Sequence, residues 1–242
     1  MKAWIPEITG DWWQIAGNPD LGKYQTDRQQ PLDFGIWQAA DGTWQLWSCV
    51  RYTGCGGKTR LFYHWEGDRL TSKNWRPMGI AMEADPNFGE TEGGLQAPYV
   101  IRKNDVYYMF YGDWINICLA KSPDGKTFTR HLNDDGLSGL FSEKPGSKSR
   151  DPMVMAYRDL YYIYYTAVLE EKGAIYCRTS TDLVNWNKLP KLDIPKQDHK
   201  YAIFLDKSGV SNVEIDLDEF YIIGNNNIFS CWSRVFNIRS SS

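Results

Sequence analysis

Hydrophobic and aromatic residues in this chain occur in short runs separated by polar turns, and the clearest example spans residues 150–166. The first run, Arg150 to Ala156, is followed by a polar break and then by Leu160 to Thr166, which is rich in aromatic and β-branched side chains. These residue types suit a pleated surface, so two strands joined by a turn are predicted. Asp151 precedes a proline, and a strand tolerates proline at its first residue because the missing N–H has no ladder partner to lose there. We therefore expect Asp151 at the start of a strand.

The same order of strand, turn and strand recurs along the chain, most weakly in its last part. Further pairs of strands are predicted at residues 33–37 and 43–48, 96–101 and 106–111, and 210–217 and 220–224. A third strand follows each pair, at residues 60–65, 115–121, 174–179 and 228–234. Three of these units then close with a polar turn that ends on an aromatic residue, Trp75, Phe128 or Trp186. One β-structural unit is thus predicted to repeat along the chain.

The length of this repeat favours a β-propeller. The unit starts at 33, 96 and 151 are 63 and 55 residues apart, and a period of this size made of short antiparallel strands is typical of propeller blades. A β-sandwich with coincidental internal similarity is the alternative, but the whole order of elements repeats. We predict an all-β, five-bladed β-propeller with four clear blade repeats. The fifth blade would have to come from residues 1–32 and the last eight residues, so it is rudimentary or truncated.

Composition narrows the possible functions. The 242 residues contain no linker-like interval, so residues 1–242 are predicted to form a single propeller domain. The net charge is −3 and no Lys/Arg cluster is present, so we expect no nucleic-acid partner. Five cysteines without close pairing do not indicate a disulfide framework or a zinc site, and no metal or cofactor is expected. No segment is long and apolar enough for a membrane span, and no signal peptide is visible, which fits a cytoplasmic protein or a mature secreted or periplasmic form. The oligomeric state is left open.

Two aspartates are the strongest candidates for chemistry. The inner strands of a propeller converge on its axis, so Asp33 and Asp151, at equivalent strand starts two blades apart, are predicted to point into one central pocket. Facing carboxyl groups carry out glycoside hydrolysis, in which one is a charged base or nucleophile and another tunes charge or stays protonated. For each aspartate alone, a cap at a turn or strand start is the alternative. The aromatic content of 15% fits stacking on sugar rings, although packing between blades would use these side chains too.

Three strand starts resemble a known group of enzymes. The segments Asp-Phe-Gly-Ile-Trp at 33–37, Gln-Ala-Pro-Tyr-Val at 96–100 and Arg-Asp-Pro-Met-Val at 150–154 resemble those of the five-bladed propeller glycoside hydrolases of families 43 and 32. The resemblance covers residues 33 to about 186. It implies that Asp33 is the catalytic base or nucleophile, and that Asp151 stabilises the transition state or tunes the pKa of the acid. Arg150 would flank the sugar hydroxyls.

The general acid departs from the pattern of these families. They carry a glutamate at the start of the inner strand of the fourth blade, where the register counted back from Tyr221 gives Gly209 or Val210. Asp206 lies shortly before this position and Glu214 shortly after it. Glu214 has the better side-chain type and is our candidate acid. In the counted register, however, it lies inside the strand, where a solvent-facing charge is the alternative.

Four further residues are predicted to contact substrate. Gln96 at the start of the second blade can bond sugar hydroxyls, and Asp113 and Trp114 follow the second strand of that blade. Trp37 is either a stacking platform or a core residue. The sequence therefore predicts a glycoside hydrolase-like propeller that acts on or binds an oligosaccharide or polysaccharide in a central acidic pocket. The alternative is a non-catalytic carbohydrate-binding propeller that has lost the general acid. A protein-interaction propeller is a weaker hypothesis, because the WD-type signature is missing.

Overall fold

The computed structural model describes residues 13–169 and 171–188, together with the backbone of residues 223–224 and 227–228. The chain divides into two compact units, one of residues 13–189 and one of residues 1–12 and 190–242. The prediction that residues 1–242 form a single domain stays a prediction.

The larger unit contains three successive antiparallel sheets, which we call blades one, two and three. Blade one has four strands, β1 (Gln30–Gln38), β2 (Trp44–Arg51), β3 (Leu61–Gly67) and β4 (Arg76–Met82). Blade two has five, β5 (Gln96–Lys103), β6 (Val106–Gly112), β7 (Ile117–Ser122), β8 (Thr129–Arg130) and β9 (Gly139–Phe141). Blade three has four, β10 (Lys148–Tyr157), β11 (Leu160–Leu169), β12 (Lys172–Ser180) and β13 (Asn187–Lys188). The strand order predicted for these three units is confirmed.

The smaller unit contributes one short hairpin to the description. Strands β14 (Ile223–Gly224) and β15 (Asn227–Ile228) pair antiparallel. The predicted fourth blade otherwise lies outside the described residues. The helices that the structure describes are single 3-10 turns of three residues, at Gly22–Tyr24 and Pro86–Phe88, and neither approaches the length of a membrane crossing.

Alternating side chains of β6 fill the spaces on both sides of blade two. Met109 and Tyr111 pack with Trp47 and Phe62 of blade one, whereas Phe110 packs with the core shared by blades two and three. All are buried. Successive residues of a strand point to opposite faces of the sheet, so an uninterrupted aromatic strand is what a sheet covered on both faces requires. Much of the aromatic content of the chain is thereby used in packing between blades.

The polar turns that close blades two and three are built alike. The Ser122 hydroxyl donates to Asp124, whose carboxylate accepts the N–H groups of residues 126 and 127. Ser180 and Asp182 repeat this arrangement in blade three. Short side chains of this kind stabilise turns by replacing backbone partners. The aromatic residues predicted to end these turns pack in the core, at Trp75, Phe128 and Trp186.

The connectors that precede blades two and three are each held by one glutamate. Glu90 is fully buried, accepts a hydrogen bond from the Tyr111 hydroxyl at 2.7 Å and pairs with Arg130 at 2.8 Å. Glu143 accepts from Tyr165 and from the guanidinium of Arg178, and it pairs with the lysine of β13 that occupies the register position of Arg130. Both long loops are therefore fixed to the blade that follows them.

Neighbouring inner strands lie against one another around a common axis, with β5 contacting both β1 and β10. The approach of β1 to β5 is so close that a Cβ added to Gly35 would lie 2.6 Å from the carbonyl oxygen of Pro98. Glycine allows such an approach of two backbones. This packing brings the three inner strands side by side, and the candidate residues lie on them.

Candidate active site

Each inner strand is interrupted by a bulge at an equivalent position. The ladder shifts register between Leu32 and Phe34 in β1, between residues 96 and 99 in β5, and between residues 150 and 153 in β10. A bulge leaves the extra residue unpaired and redirects its side chain. The residues so released are Asp33 in β1, Ala97 and Pro98 in β5, and Asp151 and Pro152 in β10.

The bulges correct two details of the sequence prediction. Asp33 and Asp151 lie three residues inside their strands, which begin at Gln30 and Lys148, and not at strand starts. The bulge accommodates the proline after Asp151, because a bulged residue also has no ladder bond to lose. In addition, Gln96 does not match the two aspartates. It pairs opposite Gly112 as Arg150 pairs opposite Thr166, so Ala97 is the counterpart of Asp151.

Asp33 is a partly buried carboxyl group in a crowded electrostatic environment. The pKa of Asp33 is raised to about 6, chiefly by burial and then by the nearby charge of Asp151. The charges of Arg60 and Arg150 act against this rise. Two carboxylates that share a site disfavour each other's ionisation. Asp33 and Asp151 are therefore close enough for their charges to interact, and their place in one central pocket stays a prediction.

Asp151 is held in place by two partners. The Thr166 hydroxyl donates a hydrogen bond to its Oδ2 at 2.9 Å, and Arg150 Nε lies 3.3 Å from the same oxygen. Burial raises the pKa of Asp151, and these two partners and Arg60 act against the rise. The backbone of Asp151 has φ +56°, a region in which aspartate is several-fold enriched over most side chains. The carboxylate is thus fixed in orientation before any ligand arrives.

Arg60 is a functional candidate that the sequence analysis missed. It stands immediately before β3, where its N–H donates to the carbonyl of Gly93, and its charge lowers the pKa of both Asp33 and Asp151. The available signal was a basic residue just after the glycine-rich loop Gly54–Gly57. That signal does not reveal the proximity to the aspartates, which arises from packing between blades.

Two of the predicted substrate contacts, Trp37 and Asp113, are used in packing and in a turn. Trp37 is 7% exposed, packs against Trp47 and Phe128, and donates from Nε1 to the carbonyl of Gly125 at 2.7 Å. It is a core residue, the second of the two interpretations, and its ring is not free to stack on a sugar. The carboxylate of Asp113 accepts the N–H groups of residues 115 and 116 and is buried within its own turn. We therefore leave Trp37 and Asp113 out of the site.

The structure also describes two other predicted contacts, Gln96 and Trp114. Gln96 is buried, and no hydrogen bond joins its amide to another residue in the part of the chain that the structure describes. Trp114 is partly exposed, with Lys58 Nζ 5.2 Å and the Arg60 guanidinium 5.1 Å from its ring centroid. Phe34, next to Asp33, is 53% exposed and was not predicted as a contact. Glu214, the candidate acid, lies outside the described residues.

A comparison with protein-family models assigns the chain. The model described as the glycosyl hydrolases family 32 N-terminal domain matches residues 40–205. The chain belongs to this family. Of the two families that the sequence resembles, family 32 is the one whose model matches, and the predicted glycoside hydrolase propeller fold is confirmed. The fifth blade stays a prediction, because of the residues assigned to it the structure describes only residues 13–32, which contain the turn Gly22–Tyr24 and the beginning of β1.

Solved structures share the fold of this family 32 domain at low sequence identity. Sucrose-6-phosphate hydrolase from Lactobacillus gasseri is 18% identical with a TM-score of 0.55, over 71% of this chain and 36% of that one. A family 117 glycoside hydrolase from Zobellia galactanivorans is 15% identical with a TM-score of 0.55, over 75% of this chain and 60% of that one. A family 32 β-fructofuranosidase from Bombyx mori is 20% identical with a TM-score of 0.51, over 67% and 34%. The chain thus spans about a third to three fifths of these proteins. No curated protein matches the chain.

Proposed function

We propose that this domain is a glycoside hydrolase whose reacting centre is the pair Asp33 and Asp151. The observation that carries the proposal is the presence of two electrostatically coupled carboxyl groups on equivalent bulges of β1 and β10. A bulge costs ladder hydrogen bonds, and burying two like charges costs free energy. A site where carboxylates lie together despite lost ladder hydrogen bonds and like-charge repulsion is a functional candidate.

The environments of the two carboxyl groups suit different roles. With a pKa of about 6, Asp33 is ionised at neutral pH and is a stronger base than an ordinary aspartate, which suits the nucleophile or the general base. Asp151 accepts hydrogen bonds from fixed donors, so its charge is oriented to stabilise the positive charge that develops on the sugar ring in the transition state. Asp33 therefore acts on the sugar or on a water molecule, and Asp151 acts through its charge.

Substrate contacts come from the residues around the pair. Arg150 offers donors to sugar hydroxyls beside Asp151, and the amide of Gln96 offers both a donor and an acceptor. No side-chain hydrogen bond within the described part of the chain uses this amide, so it is available to a sugar hydroxyl. Phe34 presents an exposed aromatic face beside Asp33, and we assign it the stacking role first predicted for Trp37.

The general acid completes the proposal. We assign it to Glu214, because a sugar alkoxide is a poor leaving group and needs protonation. A second candidate function is carbohydrate binding without hydrolysis. It is favoured by the state of Asp113, another buried carboxylate at this end of blade two, which is committed to its own turn. Within the described part of the chain, Asp113 therefore does not offer a substitute acid.

Hydrolysis of aryl glycosides tests the role of Asp33. One of the similar structures is named a β-fructofuranosidase, so β-fructosides belong in the panel beside pentosides and hexosides. Asp33→Asn should lower kcat by about 10²- to 10⁴-fold, the usual contribution of a positioned base. Asp105→Asn is the control, because that aspartate is exposed and pairs with Arg102. Unchanged turnover in Asp33→Asn would remove the assignment.

A second comparison decides between hydrolysis and binding. If Glu214 is the acid, Glu214→Gln should slow cleavage of natural oligosaccharides much more than cleavage of activated aryl glycosides, since a phenolate leaves without protonation. A protein that binds oligosaccharides but cleaves none of them, with or without Glu214, would be the binding propeller.

A further inference from the structure

The loop between β2 and β3 places two cations over one indole. Lys58 Nζ lies 5.2 Å and the Arg60 guanidinium 5.1 Å from the ring centroid of Trp114, which belongs to blade two. Cation–π contacts of this length are attractive and restrict long side chains that would otherwise be mobile. The two positive charges are therefore held together, across the boundary between two blades.

Trp114 is held in a costly conformation. Its φ is +88°, a region that bulky residues rarely adopt and that costs about 1–3 kcal/mol. The buried carboxylate of Asp113 enforces this turn by accepting the N–H groups of residues 115 and 116. Strain that the surroundings enforce is concentrated at binding and catalytic sites. The indole is thus a built feature of this end of the blade.

The indole and its cations border the carboxylate pair. Ser149 donates its N–H to the carbonyl of Ile115 at 3.2 Å, and a Cβ added to Gly112 would lie 3.1 Å from the Cα of Arg150. The turn that carries Trp114 is therefore in contact with the residues just before Asp151. The charge of Arg60 acts on both Asp33 and Asp151, which places it at the same centre.

The donors of these cations are unused among the residues that the structure describes. No hydrogen bond or ion pair within that part of the chain involves the Arg60 guanidinium or Lys58 Nζ. Glu92 of the connector contacts this loop through its carbonyl, which accepts from the Lys58 N–H at 2.9 Å, and its carboxylate lies against Gly56, but within the described part of the chain it forms no ion pair with Lys58 or Arg60. A guanidinium has five donors and an ammonium three, and both bond anionic oxygens more strongly than hydroxyls.

We propose that Lys58 and Arg60, positioned by Trp114, bind an anionic substituent of the sugar that occupies the Asp33–Asp151 centre. The group is a carboxylate, a sulfate or a phosphate, which share the negatively charged oxygens that these donors recognise. This inference rests on the proposed function, because it names the substrate class of the same site. A neutral sugar would leave the donors of both cations without an anionic oxygen to bond, because Arg60 acts on Asp33 and Asp151 through its charge and not through a hydrogen bond.

Calorimetric titration of the full chain with matched sugars tests the proposal without requiring turnover. The probes are galacturonate, galactose 6-sulfate and fructose 6-phosphate, each compared with its neutral parent sugar. At least one anionic sugar should bind about 10- to 100-fold more tightly than its parent, as expected for charge-assisted hydrogen bonds. The preference should weaken as salt rises, and the identity of that sugar distinguishes the three groups. Inorganic sulfate and phosphate, compared with chloride at equal ionic strength, should also raise the Tm.

Arg60→Gln and Lys58→Gln should abolish the preference for the anionic sugar and the shift in Tm. Arg102→Gln and Lys121→Gln are matched controls, because these cations lie over the rings of Tyr107 and Tyr108 in blade two. Equal affinity for anionic and neutral sugars, or no effect of sulfate and phosphate, overturns the proposal. An anion preference that survives Arg60→Gln also overturns it. If the anionic sugar binds as expected and only the hydrolysis of aryl glycosides is absent, the result counts against the role of Asp33 and not against this proposal.

Discussion

Asp33 should reduce the stability of the fold at neutral pH, and replacing it with asparagine should therefore stabilise the protein. Its pKa is raised from the ordinary 3.8 to about 6, chiefly by burial and then by the charge of Asp151. The folded chain thus holds this proton more tightly than the unfolded chain does. Between pH 3.8 and 6 the native state binds the additional proton, so the free energy of unfolding must fall as pH rises.

The magnitude follows from the size of this difference. One pH unit of pKa difference corresponds to about 1.4 kcal/mol, so a rise to about 6 sets an upper value of roughly 3 kcal/mol. Solvent screening at the partly exposed carboxyl group reduces this value, and we expect about 1–3 kcal/mol. Asparagine has nearly the same shape and carries no charge. Asp33→Asn should accordingly exceed the wild type in stability by this amount at pH 8 and by little at pH 3.5.

Urea unfolding at fixed ionic strength over this pH range measures the effect, with the m value checked for constancy. Asp41→Asn is a control of opposite sign. Its carboxyl group pairs with Lys126, whose hydrogen bond holds the pKa of Asp41 well below the usual range. That variant should lose stability at neutral pH, and the loss should disappear in acid. A difference between Asp33→Asn and the wild type that does not grow with pH would refute the buried, coupled state of Asp33.

Three further outcomes follow from the contacts described above. Glu90→Gln should lower the free energy of unfolding by about 3 kcal/mol in urea titration, the lower end of the range for a broken buried pair, because it leaves the partly buried Arg130 without its counter-charge; the exposed Glu92→Gln is its control, and equal stability of the two variants would contradict the argument. Gly35→Ala should cost about 1–3 kcal/mol in the same assay, because its Cβ would lie 2.6 Å from a carbonyl oxygen of β5; an unaffected midpoint would show that the two inner strands can separate. In the pH profile of kcat/KM for an aryl glycoside, activity should decline below about pH 6 as Asp33 takes up its proton, whereas a profile that stays flat to pH 5 would exclude Asp33 as the ionised group.

Local patterns were sufficient to predict the strands. Alternating and aromatic runs gave the three described blades, and polar turns that begin with serine and end on an aromatic residue gave their ends, because both features depend on neighbours in sequence. The position of Asp151 within its strand was wrong by three residues. A proline satisfies the same steric requirement at a strand start and at a bulge, and the sequence does not distinguish between them.

Side-chain environments that depend on packing between blades were harder to predict. Trp37 and Asp113 had suitable residue types and suitable positions, yet one is used in the core and the other in a turn. Arg60 was missed because it is far from Asp151 in sequence, and no local sequence pattern links the two residues. Its place at the carboxylate pair depends on the way blade one packs against its neighbours.

The three bulges show which features of the candidate site come from the backbone and which come from the residue type. Equivalent register shifts in β1, β5 and β10 release residues 33, 97 and 151 from their ladders, so the propeller offers three equivalent positions near its axis. The backbone requirement does not select aspartate, because Ala97 adopts φ +46° without a carboxylate, and Asp151 adopts φ +56° with one. The backbone conformation therefore does not account for an aspartate at position 151. The charges of Asp33 and Asp151 oppose each other and are costly to bury, and this cost is the physical reason to assign the two aspartates to a ligand.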